Sequence, residues 1–501
     1  MKKIILHLSL LLSFLLPCNA QQNADTLFIN DTCRIIDNYL TQLAKDKNFS
    51  GGLLIVKGGK KIFNKGYGWA NKEQKIPFTP TTLASMGSIT KAFTAAGVMK
   101  LVEQGKLSVN DVLKKFFPNV PDDKANITIH QLLTHASGFH EFLQNDGGDY
   151  AIINTEGFLK QAFSEPLSFI PGQKAIYTNV GMSILAIIME KVTGTDYETF
   201  LKKNLFEPIG IKKISYCYPS SENDTIAIGY ITGTIWGTHA EHFKAAGGGP
   251  YWNLKGNGGL EASLNDMFLW INALTYSAVL KPATVEKMFT PAIQEEGNNG
   301  QVYFGYGCNI SKSRRNTKLI DNGGSNGVYF ARLIRLPEEG LVIYMVTNES
   351  SINTNMVLPN ITQLYFQGKI TQDALTMSSN TNSRIQQLLP LAEKIYDILV
   401  KDKSKDLESA LQKAKISVED DMILLDVGNK LIQEKKQDEA LILYQYYTQT
   451  FPNIVVAWND MGDVYRMKDN KEEAINCYKR ALKLRPNNPR AKKNLDELGK
   501  N

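Results

Sequence analysis

The chain has 501 residues, more than one hydrophobic core usually organises, so two structural units are expected. Hydrophobic residues make up 43% and charged residues 21%, which excludes collagen-like, coiled-coil and wholly disordered classes. The formal net charge of +6 falls to +4 without Lys2 and Lys3, and no basic stripe interleaved with aromatics accompanies it, so nucleic acid is not an expected partner.

Lys2 and Lys3 precede an apolar run over 4–16 and then Cys18-Asn19-Ala20. This is the layout of a secretory signal peptide, with cleavage expected after Ala20. The run is too short to cross about 30 Å of hydrocarbon comfortably, and Pro17 is a poor neighbour for a lipid-attachment box at Cys18. A periplasmic or secreted chain without a membrane span follows as the expectation. Cys33, Cys217, Cys308 and Cys477 remain, with no CxxC pair and no Cys/His cluster at zinc spacing. The expectation is therefore no metal, and buried or unpaired thiols with at most one bridge.

Residues 51–71 read as a β-hairpin turning at Gly58-Gly59, since paired glycines supply positive φ angles. Helical spacing of Ile89, Phe93, Val98, Met99 and Val102 predicts a helix capped by Gly105. A second helix is predicted over 181–192, ending before Gly194. Gly247 to Gly249 lack the Lys-Ser/Thr of a phosphate loop and read as a flexible loop near the cleft. Lys318-Leu319-Ile320, a Gly-rich turn, 328–336 and 341–346 read as an antiparallel meander. Strands at both ends of a helical middle predict one α+β domain over 25–375: an antiparallel sheet flanked by helices, plus a helical lobe.

A polar linker is expected over 376–384, and a helical domain over 385–501. Trp458, Met461, Gly462, Tyr465, Ala474, Tyr478, Ala481 and Pro486 occupy the positions of a TPR helix-turn-helix unit. Leu424, Val427, Gly428, Leu431, Ala440, Tyr444, Tyr447 and Pro452 repeat them one period earlier. The repeats are placed at about 421–454 and 455–488, with a degenerate helix pair before them and a capping helix from Pro489.

The chemistry centres on Ser88-Ile89-Thr90-Lys91. A serine hydroxyl is a weak nucleophile until a base removes its proton. Residues three apart at a helix start share a face, so the Lys91 amine can reach Ser88, provided burial or nearby charge lowers its pKa. Tyr177-Thr178-Asn179 adds a hydroxyl to relay protons and an amide to hold Lys91 or bind a substrate amide. Each motif alone has a bland structural explanation, a helix cap or a turn; their order along the chain does not.

The segment 84–95 resembles the active-site segment of the serine β-lactamase-like family, which includes class C β-lactamases, DD-peptidases, D-aminopeptidases and related esterases. Residues 129–139, Phe169-Ile170-Pro171-Gly172 with Tyr177-Thr178-Asn179, 205–210, Gly258-Gly259-Leu260 and 304–307 follow in the family's order. The resemblance spans roughly residues 30–365. It implies Ser88, Lys91, Tyr177 and Asn179 as catalytic residues, an oxyanion hole from the backbone N–H groups of Ser88 and Ser325, and no metal or organic cofactor. It makes His135 a scaffold residue. The third motif departs from the pattern: Asn322-Gly323-Gly324-Ser325 has no Lys or His at its first position, and a one-residue slip would put Asp321 there. Asn322 and Gly324 are then the substrate-binding residues, with weak recognition of β-lactams and of carboxylate-bearing peptides.

The expected function is an exported serine hydrolase of an amide or ester, acting through an acyl-enzyme. The TPR segment would bind a peptide or partner protein, or dock on the hydrolase domain. The alternative is a catalytically impaired binding or scaffolding protein that kept the fold.

Overall fold

The computed structural model describes residues 31–369 and 391–499. Residues 48, 145, 217–224, 232 and 298–299 of the first stretch are excepted, as are 392–393, 417, 419–423, 425–426, 429, 433, 453 and 485–487 of the second. The expected signal peptide, the linker at 376–384 and Cys217 lie outside the described residues.

Gly58 and Gly59 both take positive φ, +54° and +76°, and reverse the chain between strands Gly51–Lys57 and Lys60–Tyr67. The hairpin pairs with the last strand of the domain, Leu341–Thr347, in a register that sets Gly51 opposite Thr347. From there the antiparallel sheet continues through Phe330–Leu336, Lys318–Ser325, Asn309–Lys312, Tyr303–Phe304 and Ile293–Gln294, eight strands in all. The two ends of the domain thus meet as the second and third strands from one edge of the sheet.

Period-two alternation divides the sheet's apolar side chains between two cores. Leu53, Ile55, Ile334, Leu336, Ile343 and Met345 pack with helices Asp31–Lys47 and Thr354–Gln367 on one face. Leu54, Val56, Ala331, Leu333, Tyr344 and Val346 pack toward the helical lobe on the other. Leu341–Thr347 is buried along its whole length because both of its faces are covered.

Two lobe helices carry the site. Thr90–Glu103 is buried on nearly every side, which is why it reads as an apolar helix rather than an amphipathic one. Asn179–Thr193 begins at an N-cap, Thr178, whose hydroxyl accepts from Gly181 N at 3.1 Å, and ends at Gly194 with φ +64°. The expected Gly-rich turn after Ile320 lies further on: the strand runs through Gly323 and Gly324 to Ser325.

The C-terminal segment is helical: Leu407–Lys413, Gln437–Thr450, Val455–Met467, Lys471–Leu484 and Pro489–Gly499. Small residues sit at the helix crossings for a visible reason. A Cβ on Gly428 would lie 2.4 Å from the Tyr444 hydroxyl, and one on Gly462 would lie 2.6 Å from the Tyr478 ring. Among the described residues no helix is long and apolar enough to cross a membrane. Cys33, Cys308 and Cys477 are buried, and none of them is joined to another described cysteine.

Candidate active site

Ser88 sits in a single tight turn, Gly87–Ile89, that leads directly into helix Thr90–Glu103. It is half-buried, whereas its neighbours from Thr82 to Gly87 and from Ile89 onward are buried. Two glycines bring the sheet against this turn. A Cβ on Gly324 would lie 1.9 Å from the Met86 carbonyl oxygen and 2.8 Å from the Ser88 nitrogen. Gly87 has φ +50°, and a Cβ there would lie 2.5 Å from the Ser325 nitrogen. Gly323 and Gly324 were read as a turn; Gly324 is instead a point of close backbone approach. The contact sets the Ser88 and Ser325 backbones side by side at the mouth of one cleft, where N–H donors can hold a developing oxyanion.

Lys91 lies one helical turn on, 3% exposed. Its Nζ donates to Ser88 Oγ at 3.0 Å and to the Asn257 carbonyl oxygen at 2.6 Å. Burial lowers its pKa to about 7, against the pull of Glu141 and Asp149 toward the charged form. A free-base amine at that distance can take the serine's proton. The Tyr177 ring lies 4.6 Å from Nζ, and its hydroxyl hydrogen-bonds Ser88. Burial raises the Tyr177 pKa well above its ordinary value, so the hydroxyl keeps its proton.

His135, with φ +58°, packs its ring against Tyr177 at 4.8 Å between ring centres, tilted by 32°. Its Nδ1 accepts from Thr178 N at 3.2 Å, and burial followed by the Lys91 charge lowers its pKa to about 3. A histidine held neutral and tied to the chain before the second helix braces Tyr177.

Asn179 lines the cleft, but the partner that holds Lys91 is Asn257. The Asn257 amide donates to Ser183 Oγ at 2.8 Å and to the Asn253 carbonyl at 2.9 Å, which fixes the carbonyl that faces Lys91. Sequence reasoning missed it because a backbone carbonyl leaves no signature. The one available signal was its place just before Gly258-Gly259-Leu260. Asn322, expected to bind substrate, lines the larger cavity beside Ser88 and Lys91. It is buried, and its amide donates to the Gly307 carbonyl at 2.6 Å, tying a neighbouring turn to the strand. Asp321, the slipped alternative, is clamped by Arg332 at 3.0 and 2.6 Å, and strand alternation puts it on the opposite side from Asn322. No cation stands at either position.

Two cavities share Ser88, Tyr177 and Ser325 in their walls. The larger, about 1430 Å³, runs along the sheet past Lys91, Asn322 and Gly324. The smaller, about 340 Å³, lies toward Asn179 and Glu141. Among the described residues no group of three His, Cys, Asp or Glu side chains is arranged to hold a metal.

A Ser-x-x-Lys pair in hydrogen-bond contact on an α+β scaffold of this topology is the arrangement of a serine hydrolase fold, and the Beta-lactamase family profile matches residues 36–363: the chain belongs to that family. A tetratricopeptide repeat profile matches residues 455–488. The chain is 25% identical to a penicillin-binding protein of Bacillus subtilis (strain 168) over 320 residues, covering 61% of this chain and 70% of that one. It is 29% identical to protein flp of Staphylococcus aureus (strain N315), over 41% of this chain and 42% of that one. The structure is similar to that of the octameric penicillin-binding protein homologue from Pyrococcus abyssi. The TM-score is 0.56, with 28% identity over 64% of this chain and 74% of the other.

Proposed function

We propose that the chain hydrolyses an amide or ester by two-step acyl transfer on Ser88. Neutral Lys91 takes the Ser88 proton as Oγ adds to the substrate carbonyl. The oxyanion is held by the backbone N–H groups of Ser88 and Ser325. The C–N or C–O bond then breaks, and the proton passes through Tyr177 to the leaving group. Water, deprotonated by the same pair, attacks the acyl-enzyme, releases the acid and restores the Ser88 hydroxyl. The observation that carries this reading is the 3.0 Å contact between Ser88 Oγ and a buried lysine amine near neutrality.

The uncharged Asn322, its amide turned to Gly307, supports slow turnover of β-lactams and of peptides ending in a carboxylate. Export through the N-terminal segment and partner recognition by the TPR helices, or their docking on the hydrolase domain, belong to the same proposal. The test is intact-mass measurement after treatment with a fluorophosphonate. One adduct on the parent chain, absent from Ser88→Ala, is expected. No adduct on the parent chain would favour the alternative, a protein that kept the fold for binding or scaffolding.

A further inference from the structure

The two cavities lie on either side of the nucleophile, and their walls differ in charge. Lys91, which would return the proton to a departing group through Tyr177, faces only the larger one. With the leaving group placed along the sheet, on the side of that amine, the acyl group occupies the smaller compartment, which Tyr177 also borders. That compartment is bounded by Glu141, Asp149 and Asn179, with the half-exposed Phe142 at its mouth.

Neither carboxylate has a hydrogen-bond or ion-pair partner among the described residues. Asn179 is nine-tenths buried. Its backbone N–H donates to the Glu141 carbonyl at 3.0 Å, while its amide, lining the compartment, has no partner among the described residues. The remaining ionisable groups in the wall are Tyr177 and His239. Burial holds His239 at about 4, so it is uncharged at neutral pH. No cation lines the compartment among the described residues.

The nearest positive charge is Lys91, on which both carboxylates act. Acyl transfer needs that lysine neutral, which leaves two acids and an unpaired amide uncompensated at the moment of reaction. An ammonium group has the donors and the charge to satisfy all three. Resting on the reading of Ser88 as nucleophile, we propose that this compartment binds a protonated amine on the acyl part of the substrate. The class cleaved is then an aminoacyl ester or amide with a free amine near the scissile carbonyl, in preference to its N-acylated counterpart. Asn179 accepts from the ammonium, Asp149 and Glu141 supply charge, and Phe142 offers an apolar wall to a small side chain.

The test uses two boronic acids that bond reversibly to a serine Oγ, 1-aminoethylboronic acid and its N-acetyl derivative. Each is titrated at pH 7.5 against fluorophosphonate labelling of Ser88 in the full chain, read by intact mass. The free amine is expected to protect Ser88 at a concentration at least tenfold lower, equivalent to about 1.4 kcal/mol. In Asp149→Asn and in Glu141→Gln that advantage should shrink to under about threefold. Labelling of each variant by the fluorophosphonate reports that its site is folded. Equal or better protection by the acetylated compound overturns the proposal. So does protection by neither compound with Ser88 still labelled, or an advantage unchanged in both variants. Absence of labelling at Ser88 in the parent chain removes the nucleophile itself, and the inference falls with it.

Discussion

Replacing Lys91 with arginine keeps a cation in place but removes the base, because a guanidinium does not lose its proton. The size of the effect follows from the burial of the side chain. With its pKa near 7, about half of Lys91 is in the free-base form at pH 7. A solvent-exposed lysine would offer roughly one part in three thousand. The second-order rate of fluorophosphonate labelling should therefore rise with pH and level off, with a midpoint near 7, falling about tenfold per unit below it. Lys91→Arg should lose that profile and label at least about 100-fold more slowly at pH 7.5, the range expected for a lost general base. Glu141 and Asp149 hold the lysine's pKa up, so Glu141→Gln or Asp149→Asn should move the midpoint to lower pH. A labelling rate flat between pH 5.5 and 8.5, or Lys91→Arg labelled at the parent rate, would refute the assignment of Lys91 as base.

Three further outcomes follow from neighbouring geometry. Tyr177→Phe removes the hydroxyl that serves the departing group, so hydrolysis of an alkyl ester should fall at least about tenfold more than that of a p-nitrophenyl ester, whose leaving group needs no proton. Equal losses would argue against that role. Gly324→Ala drives a Cβ into the Met86 carbonyl and should cost about 1–3 kcal/mol of stability in urea unfolding, with slower labelling of Ser88. Glu261 is 1% exposed and burial raises its pKa to about 8, above its unfolded value, so its contribution to stability is intact at low pH and lost as pH rises through about 8. Glu261→Gln should shrink the difference in melting temperature between pH 5 and pH 8.5, and an unchanged difference would discount it.

The legible parts of the molecule are those whose physics is local. The turn at Gly58-Gly59 and the helix ends at Gly105 and Gly194 each needed a positive φ that glycine supplies. Ser88 and Lys91 could be paired from their spacing, because three residues on a helix bring two side chains to one face. The illegible parts depend on what folding brings from elsewhere. Gly324 looked like a turn residue because its reason for being glycine is the Met86 carbonyl, more than two hundred positions away in the chain. Asn257 acts on Lys91 through a backbone oxygen, so no side chain could have announced it. Glu141 and Asp149 lie on an irregular loop with no periodicity to read, and only its closure over the cleft gives them meaning.

The third-motif position joins these observations. Relatives carry Lys or His there, and a cation at that position would also act on the Tyr177–Lys91 proton network. The Lys91 pKa here has another origin. Burial is the largest cause of its fall to about 7, and the charges acting on it, Glu141 and Asp149, oppose that fall. No neighbouring cation contributes, so an uncharged residue at 322 takes nothing away from the base. What the change removes is a charge for a substrate carboxylate, on the side of the nucleophile where the leaving group exits. On the acyl side the charge that remains is negative and unpaired. On the proposed reading, a site with Lys91 as its base, an uncharged residue at 322 and two acids without partners among the described residues differs from those relatives in what it prefers to bind rather than in what it can do to a carbonyl. On that reading Asn322 by itself does not favour the impaired-enzyme alternative, and the discriminating choice lies in the charge of the substrate.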